Sequence, residues 1–300
     1  MRRLDNIDLR LLRIFVTVAE VGGFAAAQIE LNLSQSTLST HMAALERVLG
    51  GALCLRGRRG FRLTSFGQGV LTAARHLFAD IDAFRTSVGQ ANGRLLGQLN
   101  IGIVDGVISS PILGLQGSLQ RLLAGTAEVY IDLKLAPTQV LERWVAEGER
   151  DVVIGPFARQ GPGVLYVPLY REANTLYCGS AHPLFKANKL DVSEIEKSPF
   201  SVRGYRHLED LYRVGHPRAS ATAIEMEGQA MLILSGHYIG FLPRHMGDSY
   251  AERGLMRALY PNKYEFLSQH YIAYRRTDKD QPLVKLLVQE LRRSATLNGQ

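Results

Sequence analysis

The sequence predicts an all-α winged helix-turn-helix domain, then a long linker helix, then a two-lobed α/β domain. Three observations predict this order. Apolar residues near the start recur at helical spacing, a proline-free stretch with a heptad repeat follows, and strands alternate with helices from there on. We expect the domains at 1–64, 65–94 and 95–300, with lobe I at about 95–168 and 268–300 and lobe II at about 169–267.

The composition is that of a globular protein. Of the 300 residues, 46% are hydrophobic and 21% are charged. No stretch reaches the roughly 18 apolar residues that span a bilayer. Asp5, Asp8, Arg10 and Arg13 interrupt the first apolar stretch, so we expect neither a secretory signal nor a membrane anchor. The sequence therefore predicts a cytoplasmic protein.

The positive charge is concentrated at one end of the chain. Residues 1–94 hold 12 arginines, no lysine and 7 acidic residues, which gives +5 of the net charge of +7. A basic end on a near-neutral body favours binding to a polyanion. A solvated arginine-rich face is the alternative on charge alone.

Three short helices are predicted in the basic segment. The apolar spacing from Leu12 to Ala19 predicts the first, and Phe24–Leu31 predicts the second. Ser34 is placed to cap a third helix from Gln35 to about Leu49, whose first residues would enter the major groove. The polar residues expected to meet DNA at its start are Ser34, Gln35, Ser36, Thr37, Ser39, Thr40 and His41.

A hairpin, or wing, is predicted after the third helix. Two short apolar runs flank a Gly-Arg-Arg-Gly tip at 57–60. Its arginines would contact phosphates or the minor groove, although a solvated loop is the alternative. They are Arg56, Arg58, Arg59 and Arg62.

The first 67 residues resemble the DNA-binding signature of the LysR-type transcriptional regulators. The resemblance is carried by Phe15, Val18, Gly23-Phe24, Ala27, Leu31, Ser34-Gln35-Ser36, Ser39, Leu45-Glu46, Leu49-Gly50, Leu53, Arg56, Leu63-Thr64 and Gly67. The chain departs from the family pattern at Gln28, Ser36, Thr40 and Cys54. The departure at Thr40 bears on which bases are read, so the operator sequence cannot be taken from relatives.

A heptad repeat indicates that the linker helix pairs with a second copy of itself. Two apolar sets recur every seven residues between Ser65 and about Gly93, which is a coiled-coil seam. A helix packed on its own domain is the alternative. The resemblance to LysR-type regulators implies a dimerisation helix here and a dimer that further assembles into a tetramer. The seam residues are Val70, Ala74, Leu77, Ile81, Phe84 and Val88.

The last 200 residues predict two α/β lobes. Strands are expected at 99–104, 129–135 and 152–154, with helices between them at Ile112–Leu122 and Leu141–Gly148. Separate strands follow at 164–169 and 175–178, then a helix at 224–235, strands at 238–242 and 268–275, and a final helix at 282–293. This order resembles the periplasmic-binding-protein type II fold, which is also the effector domain of the LysR family.

No catalytic, metal-binding or cofactor-binding motif is present in the sequence. Cys178 is expected to be a buried structural thiol, and Cys54 to pack beside the wing. We therefore expect no catalysis, no metal and no cofactor.

An effector site is expected beyond the carboxyl ends of the strands. Ser109 and Ser110 would lie at a helix start, and Arg203 would pair with a ligand carboxylate, while Asp105 would pair with Arg203 or select an amino group. An alternative is that these residues only cap helices and solvate the cleft. The full set is Asp105, Ser109, Ser110, Pro156, Phe157, Ser201, Arg203 and Tyr205.

The sequence thus predicts a LysR-type regulator that binds a double-stranded DNA operator as a dimer or tetramer and responds to a small molecule, with a carboxylate favoured. Two alternatives remain open at this point. One is a two-lobed solute-binding protein or enzyme with a basic head, and the other is a regulator with a vestigial ligand cleft.

Overall fold

A computed structural model describes residues 9–55, 60–91, 96–124, 128–158, 161–204, 207–216 and 218–298. The chain divides into two compact units, Met1–Phe84 and Arg85–Gln300. Within the described ranges, no helix is long and apolar enough to cross a membrane.

The first unit contains the three predicted helices. They are α1 (Leu9–Glu20), α2 (Phe24–Leu31) and α3 (Gln35–Leu49). Phe15 and Val18 of α1 and Leu38 of α3 are fully buried, so the apolar faces meet in one small core. The predicted bounds of α2 and α3 are confirmed, and local signals flank them: Gly23 and Asn32 at the ends of α2, and Ser34 and Gly50 at the ends of α3.

The predicted hairpin is also confirmed. Strands β1 (Cys54–Leu55) and β2 (Arg62–Leu63) pair antiparallel, with Cys54 opposite Leu63. Cys54 is buried in the core of this unit, as expected. Helix α4 (Ser65–Ala91) then begins.

A close approach fixes the start of α4 against the hairpin. The Thr64 hydroxyl donates to the Ala52 carbonyl at 2.6 Å and accepts the Gly67 N–H at 2.8 Å, which caps the helix. A β-carbon at Gly67 would lie 1.9 Å from the Leu53 carbonyl oxygen, so only glycine fits there.

Lobe I of the second unit is built on a parallel sheet. Strand β3 (Leu96–Ile103) pairs in parallel with β4 (Glu128–Leu135) on one side and with β5 (Val152–Gly155) on the other. Parallel neighbours need crossover connections, which here contain one helix each. Its core includes Ile101, Val153 and Leu287. The elements are β3 (Leu96–Ile103), α5 (Leu115–Leu123), β4 (Glu128–Leu135), α6 (Thr138–Ala146) and β5 (Val152–Gly155).

The predicted start of the helix after β3, near Ser109 and Pro111, is wrong. Residues 105–113 form successive turns, and α5 begins only at Leu115. Gly114 before it has φ +57°, a left-handed conformation that interrupts any helix running through this position. Ser109 and Ser110 therefore do not lie at the N-terminus of a helix.

Two long strands belong to both lobes. The segments 164–169 and 175–178, predicted as separate strands, form one strand, β6 (Val164–Gly179). It pairs antiparallel with β11 (Phe266–Arg275) along its first part, with a register shift between His270 and Tyr271. The prediction of two strands failed because the polar residues between them, which include Glu172, are buried by tertiary partners rather than exposed in a turn.

In lobe II the helix predicted at 224–235 and the strand predicted at 238–242 are present, at Met226–Leu234 and Ile239–Pro243, and the lobe also carries several elements that the sequence pattern did not show. Its core includes Phe200, Phe241 and Phe266 in one cluster and Tyr177 and Met226 in another. The elements between β6 and β11 are α7 (Val192–Lys197), β7 (Phe200–Arg203), α8 (His207–Val214), β8 (Ala221–Ala223), α9 (Met226–Leu234), β9 (Ile239–Pro243), α10 (Arg244–Glu252), β10 (Met256–Ala258) and α11 (Pro261–Tyr264).

One mixed sheet runs through both lobes. Its order is β4-β3-β5-β11-β6-β9-β7-β8, and β10 also pairs with β6. Helix α12 (Pro282–Asn298) returns to the lobe I core through Leu283, Leu287 and Leu291. The predicted fold class, a winged helix-turn-helix domain followed by a two-lobed α/β domain, is confirmed.

Arg203 does not point a free charge toward a ligand, which corrects the expectation for this residue. Its guanidinium donates from Nε and Nη2 to the two carboxylate oxygens of Asp210, at 2.9 and 2.6 Å, and from Nη1 to Asn174 at 2.7 Å. Both members of the ion pair are buried inside lobe II. Arg203 thus serves to join β7, α8 and β6.

Removing one partner of this buried pair should be costly. Asp210→Ala leaves a buried guanidinium without its counter-charge, so we expect the free energy of unfolding to fall by about 3–5 kcal/mol. Denaturant unfolding of the purified protein measures this. Asp280→Ala is the matched control, because Asp280 pairs with Lys279 at the exposed surface and should contribute less than about 1 kcal/mol. Equal losses from the two variants would contradict this account of Arg203.

Candidate functional site

The start of α3 is a polar, solvent-facing surface held by a well-formed cap. The Ser34 hydroxyl accepts the Thr37 N–H at 3.2 Å and lies 2.8 Å from the hydroxyls of both Ser36 and Thr37. Asn32 in the turn before it has φ +50° and donates its N–H back to α2. This local network determines where the first turn of α3 points.

The residues predicted to read bases differ in exposure. Gln35, Ser36 and Thr40 are exposed, whereas Thr37, Ser39 and His41 are half-buried. The Thr40 hydroxyl donates to the Ser36 carbonyl at 3.0 Å. Gln35 is exposed and its side-chain amide can both donate and accept hydrogen bonds, which makes it the strongest candidate for base contact.

The hairpin is braced against the helices that precede it. The Leu53 N–H donates to Glu46 Oε1 on α3 at 2.8 Å. Phe61 packs edge-on against Phe24 of α2, with 6.0 Å between the ring centroids. Arg62 on β2 is exposed beside this contact, while Arg56, Arg58 and Arg59 lie outside the described residues.

The predicted dimer seam on α4 divides into two parts. Ala74 is buried in the core of its own unit, so its assignment to a dimer seam is wrong, whereas Val70 is only partly buried against that core and its assignment stays a prediction. The heptad pattern could not separate them, because an apolar face has the same spacing whichever surface it meets. Ile81 is half-buried, and Leu77, Phe84 and Val88 are exposed by 40%, 69% and 46%.

The junction between the lobes is where the effector site was expected. The strap, as we call residues 104–113 between β3 and α5, reaches lobe II at two points. The Asp105 carboxylate accepts the Met226 N–H at the start of α9, and the Ser109 hydroxyl lies 3.0 Å from His245 Nε2 on α10. The structure therefore brings Asp105 and Ser109 to one interlobe surface.

The Ser109 hydroxyl connects the strap to the imidazole of His245. Ser109 Oγ donates to the Gly106 carbonyl at 3.1 Å and lies 3.0 Å from His245 Nε2. Burial lowers the pKa of His245, and a hydrogen bond with Gly106 partly opposes this shift. The ring is therefore neutral at neutral pH.

A buried carboxylate lies between two histidines at this junction. Glu172 Oε1 is 3.7 Å from His245 Nδ1, and Glu172 Oε2 is 3.5 Å from His270 Nε2. The His270 ring stacks on Tyr170 at 4.7 Å, at the register shift of β11. Bulges often redirect a side chain next to a functional site, and this one places His270 beside Glu172.

Sequence reasoning missed Glu172, His245 and His270. The Ser109–His245 contact joins residues 136 positions apart, and no local spacing signals it. The only available signal was the polar composition of 170–174 inside an otherwise apolar strand pattern.

Two other residues predicted to bind the effector make contacts inside their own lobes. Ser201 is fully buried in β7 and donates to the Ile239 carbonyl at 3.2 Å, and Phe157 packs edge-on against Tyr166 in lobe I at 5.7 Å. The expectation that Ser201 and Phe157 present side chains to a ligand is wrong for this reason. Pro156 is half-buried and Ser110 is buried, while Tyr205 lies outside the described residues.

Cys178 and the potential metal-ligating side chains offer no second reactive site among the described residues. Cys178 is buried, and burial raises its pKa to about 11, so it stays a protonated thiol at neutral pH. Among the described residues, no group of three or more His, Cys, Asp or Glu side chains is arranged to hold a metal ion.

Two family models match the chain. Residues 9–68 match one described as "Bacterial regulatory helix-turn-helix protein, lysR family", and residues 92–296 match one described as "LysR substrate binding domain". Together they cover both units of the structure.

Curated relatives extend the match across most of the chain. The HTH-type transcriptional activator BauR of Pseudomonas aeruginosa is 36% identical over 267 residues, which is 88% of this chain and 88% of that protein. An SDS degradation transcriptional activation protein of a Pseudomonas species is 30% identical over 201 residues, 65% of this chain and 64% of that one.

Solved structures share the fold at low sequence identity. A full-length OxyR variant from Pseudomonas aeruginosa has a TM-score of 0.67 at 21% identity, covering 95% of this chain and 94% of that one. Full-length CbnR in complex with its target DNA has a TM-score of 0.65 at 20% identity, covering 96% and 99%. Full-length LysG from Corynebacterium glutamicum with bound effector arginine has a TM-score of 0.59 at 19% identity, covering 97% and 99%.

Proposed function

The chain belongs to the LysR family of DNA-binding transcriptional regulators, and from this membership we propose how its own residues divide the work. The start of α3 reads the operator, the hairpin holds the DNA backbone, and α4 brings two copies together. The two-lobed domain binds a small-molecule effector between its lobes. The observation that carries the proposal is the capped, exposed first turn of α3, with Gln35 turned to solvent beside a braced hairpin.

Operator reading is assigned to α3, and backbone contact to the hairpin. The polar residues at the start of α3 offer donors and acceptors to base edges. An exposed arginine such as Arg62 supplies a charge for phosphates, which adds affinity for any sequence. From the sequence, we assign the same role to Arg56, Arg58 and Arg59. A DNA-binding regulator works where the chromosome is, so we propose a cytoplasmic location.

Dimer formation is assigned to the exposed apolar residues of α4. Leu77, Phe84 and Val88 recur on one side of the helix at coiled-coil spacing and are exposed in a single chain. Burying them against a second copy removes apolar surface from water, which favours association. A dimer also pairs two small DNA-binding heads on one operator. We propose that such dimers assemble further into tetramers, as the family resemblance implies.

Effector binding is assigned to the interlobe junction. LysG, which shares the fold, was solved with bound effector arginine. In this chain the groups that meet at the junction are Asp105 and Ser109 of the strap and the cluster of Glu172 with His245 and His270. Ser110 and Pro156 stay candidates from the sequence. Arg203 is not included, because its guanidinium is bonded to Asp210 and Asn174. A carboxylate effector would therefore need a different partner from the one that the sequence predicted.

Gln35 and Arg62 should have separable effects on DNA binding. With the preferred operator first selected from a random-sequence pool, Gln35→Ala should weaken binding to that operator by about 1–3 kcal/mol and leave scrambled DNA unaffected. Arg62→Ala should weaken both, and the slope of log affinity against log salt should drop by about 0.9 per lost phosphate contact. Gel-shift titrations at several salt concentrations measure both effects.

Gln68→Ala is the control for this experiment, since it makes the same chemical change at an exposed residue of α4. It should match the wild type on both DNAs. Equal losses on operator and scrambled DNA for Gln35→Ala would contradict base reading by α3.

Phe84→Asp should disrupt the dimer. The substitution places a charge where an apolar side chain would be buried between two copies, and the desolvation cost should weaken association by about a hundredfold. Light scattering over a range of protein concentrations measures the mass. Leu297→Asp makes the same change at an exposed residue of α12 and should keep the wild-type mass. A wild-type mass for Phe84→Asp would place the dimer contact elsewhere.

A bound effector should raise the thermal stability of the protein. A ligand at 100 times its dissociation constant adds about 2.7 kcal/mol by mass action. Thermal-shift screening of the purified protein against small metabolites measures this, and any hit should be lost when Ser109 is changed to Trp to fill the junction. Hits that survive Ser109→Trp would place the effector site outside the junction, and an absence of hits would favour a vestigial cleft.

A further inference from the structure

Helix α9 receives its N-terminal cap from the other lobe. A helix start leaves backbone N–H groups without partners inside the helix, and the preceding residue usually supplies an acceptor. Glu225, the residue before α9, makes no such side-chain bond. The Asp105 carboxylate of the lobe I strap accepts the Met226 N–H instead. One side chain therefore completes a helix of the opposite lobe.

The strap is fastened at a second point and packs closely between the two. The Ser109 hydroxyl meets His245 Nε2 at the first turn of α10, at 3.0 Å. Gly106 lies between these points with φ +78°, and a β-carbon there would be 3.3 Å from Met226 Cγ. The strap thus spans α9 and α10 with polar bonds at two points and apolar contact in the middle.

The surroundings of Asp105 act on the pKa of its carboxyl group in opposite directions. Burial raises the pKa of Asp105, the Met226 N–H lowers it, and the carboxylates of Glu225 and Glu227 raise it further, while Arg203 exerts a smaller opposite effect. The net direction means that this position disfavours the negative charge it holds. The hydrogen bond keeps the lobes together, and desolvation and like-charge repulsion favour their separation.

From this geometry we propose that the strap is a latch that holds the two lobes together in the absence of effector, with Asp105 at α9 and Ser109 at α10 as its two fasteners. This inference rests on the proposed function, since it describes how the effector site is regulated. An effector that enters the junction replaces the fasteners with its own bonds, and the lobes then take the spacing that suits the ligand. The effector shifts this equilibrium by the difference between its affinities for the two lobe spacings.

Hydrogen–deuterium exchange of the full-length protein tests the latch without effector or DNA. Asp105→Ala removes the acceptor, so amides in the strap, α9 and α10 should all exchange faster, by about tenfold, which corresponds to about 1.4 kcal/mol of opening free energy. Asp105→Asn keeps an acceptor oxygen and removes the charge that faces Glu225 and Glu227. It should exchange as slowly as the wild type or more slowly.

Asp191→Ala is the matched control, because Asp191 caps α7 from within the same lobe through the Ser193 N–H at 3.0 Å. Its effect should stay in α7. Should Asp105→Ala fail to fold, Ser109→Ala removes the second fastener alone and should also speed exchange in the strap and in both α9 and α10.

Three results would overturn the latch. The first is an Asp105→Ala effect confined to the first turn of α9, which would make Asp105 an ordinary cap. The second is no change in any segment. The third is equal acceleration by Asp105→Ala and Asp105→Asn, which would show that the acceptor atom does not fasten the strap. A failed effector screen or gel shift would instead count against the proposed function, so the two failures are distinguishable.

Discussion

The second unit depends on the pairing of β6 with β11. These strands run through both lobes, and their pairing extends from Val164 opposite Arg275 to Asn174 opposite Phe266, with one register shift between His270 and Tyr271. Strands β5, β9 and β10 pair directly with β6 or β11. Because both lobes share this ribbon, it joins them, and further contacts between the lobes lie beside it. The strap is one of those contacts.

The same ribbon positions the charged groups of the lobes. Asn174 of β6 accepts from Arg203 and so ties the buried Arg203–Asp210 pair to the shared strand. Two residues earlier, Glu172 lies between His245 and His270. Buried charges need partners, and in each case the partner comes from a different element. The polarity within β6 thus marks contacts between elements.

In the DNA-binding unit, the contacts that shape the start of α3 are local. The Ser34 cap, the αL turn at Asn32 and the Glu46 bond to Leu53 each join residues within seven positions. A small three-helix core is completed by the hairpin and by the first turns of α4. The reading surface is therefore fixed by short-range geometry, and its specificity is left to exposed side chains such as Gln35.

By itself, the sequence determined α1 to α3, the hairpin, the strand–helix alternation of lobe I and the family of the chain. Periodicity, caps and glycines are local signals that act over a few residues, so they can be interpreted without a fold. The tertiary structure decided the rest: that β6 is one strand, that α5 starts at Leu115, and that Ala74 is buried in its own core. It also decided that Arg203 forms a salt bridge with Asp210 and that Ser109 contacts His245. An apolar spacing does not say which surface it meets, and a charge does not say which partner it finds, because both are settled only when distant segments pack together.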